Sequence, residues 1–192
     1  MGPAHPVEIG AALAYAAPAG SAEQGARVSD TAWGLVAIDA DVSYRFTPAL
    51  AAVLWGRLGA GIPTLCATAA DCESSLGRDV ALGARARFFF PSLGVVEPRV
   101  DAGVGYEWSM SKLSDNGVVS RRTYDGPIVL ALEGAAPFRL GERWTLGPVA
   151  ALALGVFSSA GLETSAFTLD RPVAGHALHA WLSLGIRTGV RF

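Results

Sequence analysis

The sequence predicts an all-β fold, an eight-stranded antiparallel up-and-down transmembrane β-barrel, and three observations carry that expectation. Hydrophobic residues make up 51% of the 192-residue chain and charged residues 17%, below the roughly 25–35% charged surface that keeps a soluble domain dispersed. Yet no run of about 18 or more apolar residues is present, because Gly, Arg, Asp or Glu interrupts each stretch before a helix could span a bilayer. The third observation is alternation with a period of two, the pattern of a closed barrel, which is the other way to satisfy every backbone polar group in lipid.

The alternation places strands near Val7 to Ala16, Gly34 to Phe46, Leu50 to Ile62, Asp79 to Phe90, Val96 to Trp108, Tyr124 to Phe138, Trp144 to Phe157 and Ala177 to Phe192. It is clearest in the fourth and fifth. Val80, Leu82, Ala84, Ala86, Phe88 and Phe90 form one row, opposite Ala81, Gly83, Arg85, Arg87 and Phe89. Val96, Pro98, Val100, Ala102, Val104, Tyr106 and Trp108 alternate with Glu97, Arg99, Asp101, Gly103, Gly105 and Glu107. Successive side chains of a strand point to opposite faces, so one face is greasy and the other charged.

The connections alternate too. Thr47 to Ala49, Pro91 to Gly94 and Gly141 to Arg143 are tight, whereas Ala17 to Asp30, Pro63 to Arg78, Ser109 to Thr123 and Ser158 to Gly175 are long. Transmembrane barrels show this asymmetry, with short turns at one end and long loops at the other. Aromatic residues collect at the two ends, as amphipathic rings do at membrane interfaces. Tyr44, Phe46, Phe88, Phe90, Phe138, Trp144 and Phe192 fall at the turn end, and Tyr15, Tyr106, Trp108 and Tyr124 at the loop end.

The inward rows hold Glu8, Asp39, Asp41, Arg45, Arg57, Asp79, Arg85, Arg87, Glu97, Arg99, Asp101, Glu107, Asp125, Glu133, His179, Arg187 and Arg191. Acids and bases nearly balance, and Gly and Ala lie between them. The interior of an eight-stranded barrel is just wide enough to be filled by side chains. The expectation is a plug of salt bridges, with a conducting or proton-handling lumen as the alternative.

On these features the chain resembles the small OmpA/OmpX-type outer-membrane barrels. The resemblance covers the whole chain as one barrel domain, residues 1–192, and its most specific part is the end: Leu182, Leu184, Ile186, Thr188, Val190 and Phe192 alternate and finish on an aromatic residue. It implies a place in the bacterial outer membrane among its lipids, both termini in the periplasm, and Phe192 as the signal read by the barrel-assembly machinery. No peptidoglycan-binding domain follows the barrel, so no tether to the cell wall is expected. The first residues, Met1 to Pro6, lack the basic and apolar regions of a signal peptide, so the chain reads as the mature form.

Cys66 and Cys72 are the only cysteines and fall in one long loop. A disulfide there is the economical expectation in an oxidising compartment, with a metal pair or free thiols as alternatives. An enzyme that modifies lipid A is the remote alternative. It would draw on His179, Ser183 and Glu107 or Asp125, but along one strand His179 and Ser183 stand about 13 Å apart, too far for a hydrogen bond.

Asp39-Ala40-Asp41 is open to neutralisation by arginines of neighbouring strands, and Asp115-Asn116-Gly117 reads as a tight reversal. Gly103-Val104-Gly105 precedes no helix, so it does not cradle a phosphate, and the net charge of −2 without a basic cluster argues against nucleic acid. No cofactor is expected. The functional expectation is a structural or interaction anchor whose four long loops meet a surface or envelope partner, and a narrow channel is the alternative.

Overall fold

The structure, a computed structural model, describes residues 6–23, 26–31, 34–61, 72–115, 118–173 and 177–192. Eight long strands form it: β1 (Val7–Glu23), β2 (Leu35–Thr47), β3 (Leu50–Gly61), β4 (Cys72–Phe89), β5 (Arg99–Asp115), β6 (Val118–Ala135), β7 (Trp144–Val156) and β8 (Leu178–Arg191). Each pairs antiparallel with the next, and β8 returns to β1 from Glu8↔Arg191 to Gly20↔His179, so the sheet closes on itself. Closure removes the free edges that lipid would not tolerate. Gly94 (φ +65°) and Gly141 (φ +70°) take left-handed conformations in two of the tight turns, where a Cβ would be strained.

The two-residue period sorts the side chains. On β1, Ile9 and Leu13 are 53% and 60% exposed, while Ala12 and Ala14 between and beyond them are about 5% exposed. Val36, Ile38, Leu54, Leu58, Leu82, Leu182, Leu184 and Ile186 continue the outer apolar face around the barrel. An apolar face of this extent is what hydrocarbon would cover.

The strands run further than apolar alternation marks. β1 continues to Glu23, and a short strand, Ala26–Arg27, pairs back on it before a single helical turn, Val28–Thr31. The stretch Ser109 to Thr123, read as a loop, is instead a hairpin whose ladder reaches Asp115↔Val118. Ser158 to Gly175 holds a second hairpin, Ser159–Thr164 with Thr168–Pro172, whose first arm extends the sheet alongside β6. Beyond the lipid both faces of a strand meet water, so ladder bonds persist where the apolar signal ends.

Proline corrects other boundaries. Pro98 has no N–H, so Val96 makes only isolated bridges and β5 begins at Arg99. Pro137 ends β6 at Ala135, and Phe138–Leu140 resumes as an arm paired with β7. Pro127 and Pro148 lie inside β6 and β7.

One irregularity reverses a parity. Gly103 and Gly105 of β5 pair with Ala131 and Ile128, so β6 carries an extra residue there. Such a bulge turns the residues beyond it to the other face. Tyr124, expected in the outer girdle, is therefore buried inside, whereas Asp125, expected in the lumen, is half-buried and accepts hydrogen bonds from the outward Tyr106 hydroxyl and from Ser159.

Candidate functional site

The lumen is the place where these strands gather charge, and it divides by height. In the half nearest the tight turns, Arg87 of β4 is fully buried and reaches three carboxylates: Asp101 at 2.9 Å, Asp41 at 3.1 Å and Glu8 at 3.4 Å. Its alternation with Arg85 sends both guanidinium groups inward, and β5, β2 and β1 supply the acids at matching register. Glu8 also accepts from Arg99 at 2.6 Å and Arg191 at 3.1 Å. Glu97 pairs with Arg191 and stands 3.8 Å from Arg139.

Towards mid-barrel, Glu133 bridges Arg85 at 2.7 Å and Arg187 at 3.1 Å, and Arg187 pairs with Asp41 as well. A Cβ at Gly10 would collide with the Arg187 guanidinium and the Asp41 carboxylate, so the missing side chain makes room for that pair. Arg57 holds Asp39 at 2.8 Å across β2 and β3.

Arg45 departs from the expected network. Its guanidinium stacks over the Phe89 ring at 3.6 Å at the turn end, and it has no ion pair among the described residues. Glu107 departs in its partner, which is His179 rather than an arginine.

The half nearest the loops is filled differently. Trp55, Trp181 and Phe157 all point inward and are buried. Arg85 lies 4.1 Å over the Trp55 ring, and Gly83 and Gly105 leave the space this indole occupies. The His179 ring stacks on Phe157 at 4.0 Å, with its Nε2 held by Glu107, and Gly155 leaves room for that imidazole. Tyr124 packs on Phe157 and donates to Glu23 at 3.3 Å. Val28, from the connection between β1 and β2, is buried in the same cluster.

These aromatic residues share the inward parity of Arg57 and Arg187, so the alternation that located the charges also locates Trp55, Trp181 and Phe157. Val28 and Val173 of the cluster lie outside the strands, and the bulge in β6 takes Tyr124 off the unbroken parity.

Of the residues considered for hydrolytic chemistry, His179 and Glu107 are paired as a base and its orienting acid would be, but Ser183 does not join them. Ser183 is 2% exposed, and its Oγ has no hydrogen bond among the described residues. Glu107 is engaged by His179, and Asp125 faces outward. Asp79 is buried with both oxygens unbonded among the described residues. Phe192 lies on the outer face, its N–H donating to Val7. The side chains of Cys66 and Cys72 lie outside the described residues.

Closure of eight antiparallel strands, an apolar exterior and a charged interior define the class as a transmembrane β-barrel of the small outer-membrane type. Solved structures show which barrels share the fold. The chain is similar to a major outer membrane protein of Thermus thermophilus, with a TM-score of 0.59 and 13% identity over 98% of this chain and 100% of that one. It is similar to Ail, the attachment invasion locus protein of Yersinia pestis, with a TM-score of 0.57 and 12% identity over the whole of both chains. Neisserial surface protein A gives a TM-score of 0.54 and 14% identity over 97% of each chain. No protein-family model and no curated protein matches the sequence.

Proposed function

We propose that the protein is an anchor of the bacterial outer membrane, with both termini in the periplasm and a plugged lumen, that presents its four longer connections to a surface or envelope partner. The observation that carries this reading is the burial of the inward charges. Arg57, Arg87, Arg99, Asp101, Glu107 and Arg187 are each no more than 3% exposed, and a water-filled path would leave such groups wet. An eight-stranded interior has room for its own side chains and little else. The chain's likeness to Ail, whose name records attachment and invasion, suits a surface-contact task. Recognition normally sits on loops held by a rigid scaffold.

The reading is tested by single-channel conductance of the refolded protein in a planar bilayer, with a heat-modifiability gel to report the folded barrel. A folded barrel is expected to stay silent. Reproducible openings altered by Arg85→Gln, Arg87→Gln or Glu107→Gln would overturn it in favour of a narrow channel.

A further inference from the structure

We infer that the tight-turn end of the lumen binds one small free oxyanion, a phosphate or a carboxylate, held by the free edge of the Arg99 guanidinium and by the unpaired guanidinium of Arg45.

Four inward arginines gather at this end, and they differ in how fully their donors are used. All three guanidinium nitrogens of Arg87 are engaged: Nε by Asp101, Nη2 by Asp101 and Asp41, and Nη1 by Glu8. All three of Arg191 are engaged as well, Nε by Glu8 and both Nη atoms by Glu97. Arg99 uses one, its Nη1 donating to Glu8 at 2.6 Å. Its Nε and Nη2 are buried and have no acceptor among the described residues. That pair of nitrogens is the edge through which a guanidinium holds a carboxylate or a phosphate by two parallel N–H bonds. Arg87 shows the arrangement completed, with Nε and Nη2 each 2.9 Å from an oxygen of Asp101.

Arg45 brings a second cation to the same place. Phe89 stands directly opposite Arg99 on the ladder between β4 and β5, and the Arg45 guanidinium lies 3.6 Å over the Phe89 ring. The two cations therefore flank one ring at the end of the lumen. Arg45 Nε is also buried without an acceptor among the described residues. The charges that bear on Arg45 are Arg191, Glu97, Glu8 and Arg99, two cations and two anions already paired with one another. The charge on Arg45 is the surplus.

An arginine keeps its proton at any ordinary pH, so titration does not relieve that surplus. Stacking on Phe89 offsets part of the cost of a partly buried, unpaired cation, and a bound anion would offset the rest. The free edge of Arg99 selects the kind of anion. Two parallel donors match the two oxygens of a carboxylate or phosphate, whereas a halide has no such pair to offer. Arg45 is half-buried and lies two residues before the strand end at Thr47, so the site meets solvent at the tight-turn end.

The test is urea unfolding of the refolded barrel in dodecyl maltoside micelles, followed by tryptophan fluorescence, with sodium phosphate, sodium acetate or sodium chloride at equal ionic strength. Phosphorus NMR line broadening measures phosphate affinity directly. An oxyanion should raise the unfolding midpoint in a saturable way and bind about tenfold more tightly than chloride. A response to phosphate alone or to acetate alone would support the site and assign its ligand. Arg45→Gln should weaken oxyanion binding about tenfold without lowering the midpoint in chloride, because the variant loses only surplus charge. Arg99→Lys keeps the charge that Glu8 needs but lacks the two-pronged edge, so it should lose the preference for oxyanion over chloride. Arg122→Gln, at the opposite end of the barrel, should change neither. A midpoint raised equally by chloride, no response to either oxyanion, or full binding in Arg45→Gln would overturn the inference.

Discussion

The two halves of the lumen fill one cross-section in different ways. Near the tight turns every inward charge but Arg45 is ion-paired, and Arg87 alone ties together residues of β5, β2 and β1. Towards the loops aromatic side chains share the space with charge: Trp55, Trp181, Phe157 and Val28 pack beside the Arg57–Asp39 and Glu107–His179 pairs and buried Asp79. An ion-paired interior demands a particular register, because a slip of one residue would turn each charge into lipid. An aromatic interior fills volume and tolerates adjustment. The denser ion network of the turn half therefore sets register more strictly than the mixed interior of the loop half.

The sharpest way to break this contrast is Arg87→Leu. It leaves Asp101, Asp41 and Glu8 short of a buried cation, and removing one partner of a buried pair costs about 3–5 kcal/mol, with the upper end expected for a hub. Urea unfolding in detergent micelles, followed by tryptophan fluorescence, measures it. Adding Asp101→Leu should recover part of the loss, since the two residues are coupled. If the double variant merely added the two single losses, Arg87 would not be a hub.

Trp181→Ala should follow, at about 3–4 kcal/mol, through the cavity left by a large side chain that is 1% exposed. The two losses should respond differently to acid. Protonating the stranded carboxylates reduces the penalty of Arg87→Leu and leaves the Trp181→Ala cavity unaffected. A Trp181→Ala loss that shrank in parallel at low pH would show that the loop half also depends on the ionic network.

The same division explains what could be read in the sequence. Within the lipid zone each strand has one greasy and one polar face, so the strands, their order and most inward charges follow from parity alone. Beyond it the parity signal vanishes, and Ser109 to Thr123 reads as a loop although Met110, Lys112 and Arg121 sit in a ladder. The bulge in β6 has no such signal either, so unbroken parity puts Tyr124 and Asp125 on each other's faces. Partner choice is a third matter. Parity puts Glu107 inside, but only the strand register brings it to His179 rather than to an arginine. Arg45 has the right parity too, yet at the turn end Phe89 supplies its neighbour.

The smallest expected effect lies outside the lumen. Glu163 meets Arg121 at 3.2 Å with both side chains about half exposed. Exposed ion pairs contribute about 0–1 kcal/mol, so Glu163→Gln should barely move the urea midpoint. Stability should therefore stay level, the reverse of every lumen substitution. A large stability loss would mean that this contact holds the outer hairpin to β6, and the outer surface would then share the lumen's dependence on paired charge.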